Sequence, residues 1–282
     1  DVCCRARFGM ENRMAKLTIT VQNGQGEEQC RACGEDQIWL VCKREYEPGD
    51  RIVFETDETD AFYVIRVDSP MDEAYVYLTS PALTYAIPFE MQKISYHPAC
   101  FTGETHYITM RKAAPGENEN YRNLAKNVLD QHDAAGCYPH VSANAETRGE
   151  ALFAVRNVID GVLANSCHWP WPYQSWGINR REDAELTLEF GRAVDIDRIS
   201  LVTRADFPHD SWWMEATVTF SDGSSEVLPM EKSDRPHEFA VTRTGITWLK
   251  LEKLIKADDP SPFPALTQIG VYGRNSAGKK SD

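Results

Sequence analysis

From residue 16 onward, apolar and polar residues alternate in short runs that turn residues separate. These runs are rich in β-branched and aromatic residues, the composition typical of β-strands. They lie at residues 17–21, 37–42, 51–54, 61–66 and 74–78, with further strands predicted near 85–89 and 106–110. Because many short strands without a long helical pattern are typical of a sandwich, residues 14–112 are predicted to form an N-terminal β-sandwich.

A second alternating series follows a linker at residues 113–136, whose first part is rich in Pro, Gly, Asn and Glu. The linker then carries apolar residues at helical spacing, which predict a short helix: Leu124, Ala125, Val128 and Leu129. Residues 137–274 alternate again, as in the run 184–190, and predict a second sandwich. The predicted fold is therefore all-β, with two jelly-roll-like sandwiches joined by a short linker and a helical turn. Residues 1–13 and 275–282 are predicted to be disordered.

Composition and charge exclude several classes of partner. The 282 residues are about twice the usual domain length, in agreement with two domains. Thirty Lys and Arg against 43 Asp and Glu give a formal net charge of −13, which repels phosphate backbones. No run of eighteen apolar residues exists. We therefore expect neither a nucleic acid nor a membrane as partner.

The start of the chain bears on its compartment. No signal-peptide pattern follows the opening Asp1-Val2-Cys3-Cys4-Arg5, so we expect a cytoplasmic protein whose eight cysteines are reduced. An incomplete N-terminus, with Met10 or Met14 near the true start, leaves an extracellular location open.

One cysteine pair has the spacing of half a zinc site. Cys30 and Cys33 form a C-x-x-C motif, but the chain has no second one. Cys42, His97 and Cys100 are the residues that would have to complete a tetrahedral site. Whether the pair binds metal is left open.

Tryptophans concentrate in the second domain, mostly in predicted loops. One loop combines two of them with hydrogen-bonding side chains: Arg204, Asp206, His209, Asp210, Trp212 and Trp213. Sugars present apolar C–H faces and hydroxyl groups, so an aromatic platform flanked by such groups is suited to bind them. Because neighbouring residues in a strand face opposite sides, we expect one of the two tryptophans to be buried and the other available.

Two further loops add candidates. Residues 168–176 contain several aromatic rings ending at Trp176, and Arg180 and Arg181 follow. We expect at least one of these arginines to pair with a neighbouring carboxylate. Residues 256–264 place Phe263 where it would complete the platform. The same segment carries Asp258 and Asp259, which are either turn-capping residues or a carboxylate pair suited to hydrolysis.

The order of motifs in the second domain resembles a known family. In sequence these are Val141-Ser142-Ala143-Asn144, residues 154–161 ending in Asp160-Gly161, Ser175-Trp176, residues 184–194, residues 196–201, Phe220-Ser221-Asp222-Gly223-Ser224 and residues 266–273. This order is similar to that of galactose-binding-like sandwiches, which include discoidin or coagulation-factor type C domains and family 32 carbohydrate-binding modules. The resemblance covers residues 137–273 and does not extend to residues 1–120.

The resemblance implies a non-catalytic jelly-roll sandwich that binds glycans through loops at one end. It also implies a structural calcium ion near Asp160 and the last strand. There this chain has Gln268 where a Glu is common, a change that should weaken calcium binding.

We therefore predict a carbohydrate-binding protein whose C-terminal loops bind the glycan. The predicted contacts are Arg204, Asp206, His209, Asp210, Trp212, Trp213, Trp176 and Arg180. One alternative is a carbohydrate-active hydrolase at the domain junction, which would use Asp258, Asp259, His209 and the pair Arg180 and Arg181. Another is a protein-interaction module that uses the same loops to bind a protein partner. The N-terminal domain is either a second binding module or a spacer.

Overall fold

The computed structural model describes residues 14–165, 171–205 and 211–277, whose regular secondary structure is mainly β-strand. The strands of the N-terminal part are β1 (Lys16–Gln22), β2 (Glu28–Glu35), β3 (Gln37–Cys42), β4 (Arg51–Thr56), β5 (Ala61–Arg66), β6 (Ala74–Leu78), β7 (Ala82–Ala86) and β8 (His106–Lys112). A short helix, α1 (Glu90–Lys93), lies between β7 and β8. No helix in the described ranges has the length and apolar composition needed to cross a membrane.

The N-terminal strands form two antiparallel sheets that enclose a common core, which confirms the predicted all-β class. One sheet has the order β2-β1-β4-β7. The other has the order β10-β6-β5-β8-β3, in which β10 (Cys137–Tyr138) arrives from the far end of the linker. Alternation decides which side chains are inside: β3 buries Ile38 and Leu40 and leaves Trp39 and Val41 exposed.

Strand β2 corrects the interpretation of the C-x-x-C motif. Three residues apart on a strand, Cys30 and Cys33 face opposite sides. Cys30 packs against the core and forms a disulfide with Cys42 on β3, with their Cα atoms 5.9 Å apart, whereas Cys33 is free and exposed. The expectation of reduced thiols is therefore wrong for Cys30 and Cys42, and the motif does not supply a metal pair.

The disulfide should contribute substantially to stability. It ties together residues 12 apart in sequence, and closing a loop of that size in the unfolded chain corresponds to about 3 kcal/mol. We expect Cys42→Ser to lower the free energy of unfolding by about 2–3 kcal/mol in urea titrations. Cys33→Ser, a change at an exposed free thiol, is the matched control and should leave stability unchanged. Equal stability of the wild-type protein with and without reductant would contradict the expectation.

The linker crosses between the two units and does not form the predicted helix at residues 121–133. It contains a 3-10 turn at Glu117–Glu119 and strand β9 (Arg122–Asn123), which pairs with the last strand of the chain. The apolar residues at helical spacing belong to different cores. Leu124 and Ala125 are buried in the C-terminal core, and Val128 and Leu129 in the N-terminal core. A helix would have placed all four on one face, so packing against two cores prevents it.

The C-terminal unit is a second β-structure with its own core. Its strands are β11 (His140–Ala143), β12 (Trp176–Gly177), β13 (Leu186–Thr203), β14 (Trp213–Phe220), β15 (Ser225–Pro229), β16 (His237–Lys256) and β17 (Ala265–Asn275). Two 3-10 turns, Ala151–Phe153 and Val155–Ile159, follow β11. The first two residues of the range predicted for this unit, Cys137 and Tyr138, pair instead with β6 of the N-terminal sheet.

Strands β13 and β16 are long and bent, and β13 contains most of the run 184–190 together with the run 196–201 of the motif order. The register between them shifts after Glu189, and Gly191 lies in this bend with a φ of 68°. A Cβ atom at Gly191 would overlap the ring of Tyr138, so close packing also requires glycine there. The alternation predicted for the first half holds, since Leu186, Leu188 and Phe190 are all fully buried.

Arginines of the C-terminal unit and the linker pack on aromatic rings of the N-terminal sheet. The Arg192 guanidinium lies 4.7 Å from the centroid of Phe62, and that of Arg122 lies 4.5 Å from the centroid of Tyr75. Burial lowers the pKa of Arg192 to about 9. These contacts join the linker and the C-terminal unit to the N-terminal sheet.

Candidate functional site

A pocket of about 280 Å³ opens at one end of the C-terminal sandwich. Its walls come from four segments that are distant in sequence: Thr147, Arg148 and Phe153; Tyr173 and residues 177–180; Arg204; and residues 262–265. Two of the predicted contacts, Arg180 and Arg204, are brought together here, as is Phe263. The described lining residues include no carboxylate.

Each of the three arginines in this end pocket stacks on an aromatic ring. The Arg204 guanidinium lies 3.8 Å from the centroid of Tyr173, and Arg180 lies 4.7 Å from that of Phe263. Arg148 lies farther from its ring, 6.0 Å from the centroid of Phe153. Such stacking holds a guanidinium in place while leaving its N–H groups directed outward around the ring plane.

The three arginines differ in burial and in partners. Arg204 is buried, with 2% of its surface exposed, and its backbone N–H donates to the carbonyl of Ala265 at 2.9 Å. Arg148 donates two hydrogen bonds to Glu150, at 2.6 and 3.0 Å. Arg180 is exposed and forms no ion pair with any carboxylate that the structure describes. Arg180 therefore carries the available donors of the pocket.

The loop that presents Arg180 has an unusual backbone. Asn179 and Arg180 both have positive φ values, 52° and 58°, in the left-handed region that most residues avoid. The Asn179 N–H donates to the Thr147 hydroxyl at 3.0 Å, which fixes the turn to the opposite wall. The turn directs Arg180 across the pocket toward Phe263, whose ring is 43% exposed.

The structure separates the two neighbouring tryptophans as the strand pattern predicts. Trp213 is buried, with 1% of its surface exposed, and its ring centroid lies 6.4 Å from that of the fully buried Trp176. The Trp176 indole N–H donates to the carbonyl of Ala145 at 2.8 Å. Neither ring is available to a ligand, which corrects the placement of Trp176 and Trp213 at the binding surface; both belong to the core.

Trp212 is half-buried and does not line the end pocket. The Lys232 ammonium lies 5.1 Å from the centroid of its ring. Asp206, His209 and Asp210 lie outside the described residues, so their predicted contacts remain predictions. The residues on either side of that segment lie beside the pocket, because Ser211 bridges to Pro264 and Arg204 bonds to Ala265.

In the third loop, residues 256–264, the contacts of Asp259 support the interpretation that its carboxylates are turn-capping residues. Asp259 accepts a hydrogen bond from the Ser261 N–H at 2.9 Å and lies 3.6 Å from the Lys232 ammonium. Neither Asp258 nor Asp259 lines the pocket. Arg181 pairs with Asp183 at 2.5 Å, which confirms the expected surface ion pair.

The predicted calcium ligands do not fit a calcium ion. The Gln268 carbonyl oxygen accepts from the Gly161 N–H at 3.1 Å, so its amide nitrogen faces the other way. That nitrogen donates to the Asn157 carbonyl at 2.6 Å and to Asp160 Oδ1 at 2.7 Å. Calcium requires six to eight oxygen ligands, and here an N–H donor lies between the oxygens. In the ranges that the structure describes, no three His, Cys, Asp or Glu side chains gather as a metal site.

Asp160 is a buried carboxylate whose oxygens accept hydrogen bonds from backbone and side-chain amides. Besides Gln268, it accepts hydrogen bonds from the Val162 N–H at 2.8 Å and from the Gln174 amide at 3.0 Å. Burial raises the pKa of its carboxyl to about 6, while the nearby Arg156 and the hydrogen bonds oppose that shift. The Asp160 and Gln268 pair is thus a hydrogen-bonded link between a turn and β17.

Among the residues of the end pocket that sequence reasoning missed are Arg148 and Phe153. Their segment shows no aromatic cluster, and only the turn residues Arg148-Gly149-Glu150 mark it as a loop. Their position depends on the fold, since Phe153 meets Tyr173 edge-on at 6.3 Å across 20 residues of sequence. No local signal predicts that contact.

No protein-family model and no curated protein matches the chain. The chain is similar, however, to solved structures of carbohydrate-binding modules and lectin domains.

Three of these structures illustrate the similarity. Chitosan-binding module 1, from a chitosanase/glucanase of Paenibacillus sp. IK-5, is 16% identical with a TM-score of 0.37, over 54% of this chain and 98% of that one. CpGH89CBM32-4, produced by Clostridium perfringens and solved with glcNAc-alpha-1,4-galactose, is 16% identical with a TM-score of 0.39, over 57% and 97%. The family 32 module of C. perfringens NanJ, solved with galactose, is 15% identical with a TM-score of 0.34, over 47% and 91%. Similarities at this level transfer neither a ligand nor a residue role, so the function has to be argued from this chain's own residues.

Proposed function

We propose that this chain is a non-catalytic carbohydrate-binding protein whose glycan lies in the end pocket of the C-terminal sandwich. One observation carries the proposal: three arginine–aromatic pairs surround a single open pocket. Aromatic surface suits the C–H face of a sugar, and guanidinium N–H groups donate to its hydroxyl oxygens.

Phe263 and Arg180 are the proposed main contacts. Phe263 is the most exposed of the three rings, and Arg180 has no ion pair among the described residues. Arg204 supports the buried floor through Tyr173. An open, partly polar pocket buries little ligand surface, so we expect dissociation constants on the order of µM to mM.

The absence of carboxylates among the described lining residues favours binding over hydrolysis. Glycoside hydrolysis commonly needs two carboxyl groups about 5–10 Å apart on either side of the bond. Asp258 and Asp259, the candidates for that role, lie outside the pocket, and Asp259 is used in a turn.

The disulfide supports an oxidising compartment, since such bonds persist outside the reducing cytosol. We propose the extracellular alternative over the cytoplasmic one. Mass mapping of protein alkylated at the moment of isolation from its own source should recover Cys30 linked to Cys42; free thiols at both positions would contradict this.

A glycan array tests the proposal. Wild-type protein should bind a restricted set of glycans, and Arg180→Ala should lose most of the signal with an unchanged circular dichroism spectrum. Trp212→Ala, a change of an aromatic residue outside the pocket, is the control and should retain binding. Binding to no glycan, or equal binding by the Arg180→Ala variant, would overturn the proposal.

A further inference from the structure

A second pocket, of about 240 Å³, lies in the cleft between the two units. The N-terminal unit contributes residues 70–72, 95–97 and Cys100, the linker contributes Val128, and the C-terminal unit contributes Arg156, residues 160–162, Trp171 and Gln174. Its volume is below the roughly 300–1,000 Å³ of pockets for drug-sized ligands, which limits the occupant to a molecule of about one ring. None of the described residues predicted from sequence to bind a glycan lines this cleft pocket.

The cleft pocket contains a buried cation with an open donor. Arg156 is 7% exposed, and its guanidinium lies 4.6 Å from the ring centroid of Tyr96. Its Nε donates to the Asp130 carbonyl at 2.8 Å and its Nη1 to Asn157 Oδ1 at 3.2 Å. Across the described chain, Nη2 has no acceptor and the guanidinium forms no ion pair. The carboxylates of Asp160 and Asp130 lie close enough to favour the charged form of Arg156, but neither accepts a hydrogen bond from Nη2. A ligand that supplies an acceptor for Nη2 is therefore favoured.

His97 supplies a second open donor at the mouth of the pocket. Its Nδ1 accepts a hydrogen bond from the Ala99 N–H at 3.1 Å, so the ring proton is on Nε2. No acceptor for Nε2 is found in the ranges that the structure describes. The His97 ring meets Trp171 edge-on at 4.8 Å, a contact that joins the two units across the pocket.

The acidic groups of the pocket are already engaged. The Asp160 carboxylate accepts hydrogen bonds from one backbone N–H and two side-chain amides. Asp72 forms an ion pair with Lys126 at 2.6 Å, and Lys126 packs against Gly161 at the rim. The open groups are therefore donors, and the ligand has to provide the acceptors.

We propose that the cleft pocket binds the carboxylate of a small, ring-sized molecule, with Arg156 and His97 as its donors. A carboxylate offers two charged acceptor oxygens for the open N–H donors of Arg156 and His97, which line the same pocket, and a guanidinium matches its planar geometry. Trp171 and Met71 provide apolar walls for the rest of the ligand. This site is separate from the end pocket and does not depend on it.

Isothermal titration of the full chain with D-glucuronate and with D-glucose tests the proposal. The two sugars differ at one position, where glucuronate has a carboxylate and glucose has a hydroxymethyl group. Glucuronate should bind at least about tenfold more tightly, as expected for hydrogen bonds to a charged group. Arg156→Lys should remove most of that preference. Because Arg156 also supports the Asp130 backbone, His97→Phe serves as a second variant that keeps the ring beside Trp171 and removes the donor. It should weaken glucuronate binding and leave glucose unchanged.

Arg180→Ala in the end pocket is the control and should not change the glucuronate affinity. Loss of binding in that variant would place the ligand in the end pocket and overturn the proposal. Equal affinity for the two sugars, or unchanged glucuronate binding in both cleft variants, would also overturn it.

Discussion

Replacing Trp176 by alanine will lower the free energy of unfolding by about 3–5 kcal/mol, the usual cost of removing a large buried aromatic side chain. The ring is fully buried beside Trp213, and its N–H bond to the Ala145 carbonyl ties the loop after β11 to β12. The variant would leave a cavity at the end of the C-terminal core and an unpaired carbonyl. Urea titration followed by circular dichroism measures the loss.

Trp212→Ala is the matched control, since it removes the same side chain from a half-buried position one residue from Trp213. We expect it to cost clearly less than the core change, about 1 kcal/mol. Equal losses in the two variants would contradict the assignment of Trp176 to the core.

Replacing Gln268 by glutamate will destabilise the protein by about 3 kcal/mol or more at neutral pH, because it buries a second carboxylate against Asp160. The change removes the amide donor to the Asn157 carbonyl and to Asp160, and sets oxygen against oxygen. Since like charge raises carboxyl pKa values further, the pair should bind a proton in the folded state. The loss should therefore be smaller near pH 5 than at pH 8, as thermal melts at the two pH values will show.

The effect of calcium on the melting temperature tests whether Asp160 and Gln268 form a calcium site. The melting temperature of wild-type protein should be the same in calcium and in EDTA, because the Gln268 amide occupies the position between the oxygens. Calcium should raise the melting temperature of Gln268→Glu, since that variant supplies the missing carboxylate. A calcium-dependent rise in the wild-type protein would contradict the fit described above.

Strands were predicted well where one face is buried and the other is not. The period-two pattern at residues 186–190 and 216–220 specifies which side chains point inward, and the structure buries those residues. Strand β2 was not predicted because its residues are small, polar or charged. Only two of them, Cys30 and Ala32, pack against the core. The linker helix failed because periodicity cannot show that neighbouring apolar residues enter different cores.

The candidate site was predictable only in part. Arg180, Arg204 and Phe263 were found from loop composition, because polar and aromatic residues in loops indicate a binding surface. The tryptophans were misplaced because the same composition also describes rings that close the end of a core, as Trp176 and Trp213 do. Phe153 and Arg148 reach the pocket only through the packing of distant segments, which the sequence does not display.

The most direct test of the central claim is isothermal titration of an array-selected glycan into Phe263→Ala. The variant removes a 43%-exposed ring at the pocket wall, so the fold should be retained while the sugar loses its stacking surface. We predict that binding weakens about tenfold or more, in proportion to the apolar contact removed, and that Trp212→Ala binds as the wild type does. Unchanged affinity in Phe263→Ala together with loss in Trp212→Ala would place the glycan elsewhere and contradict the account.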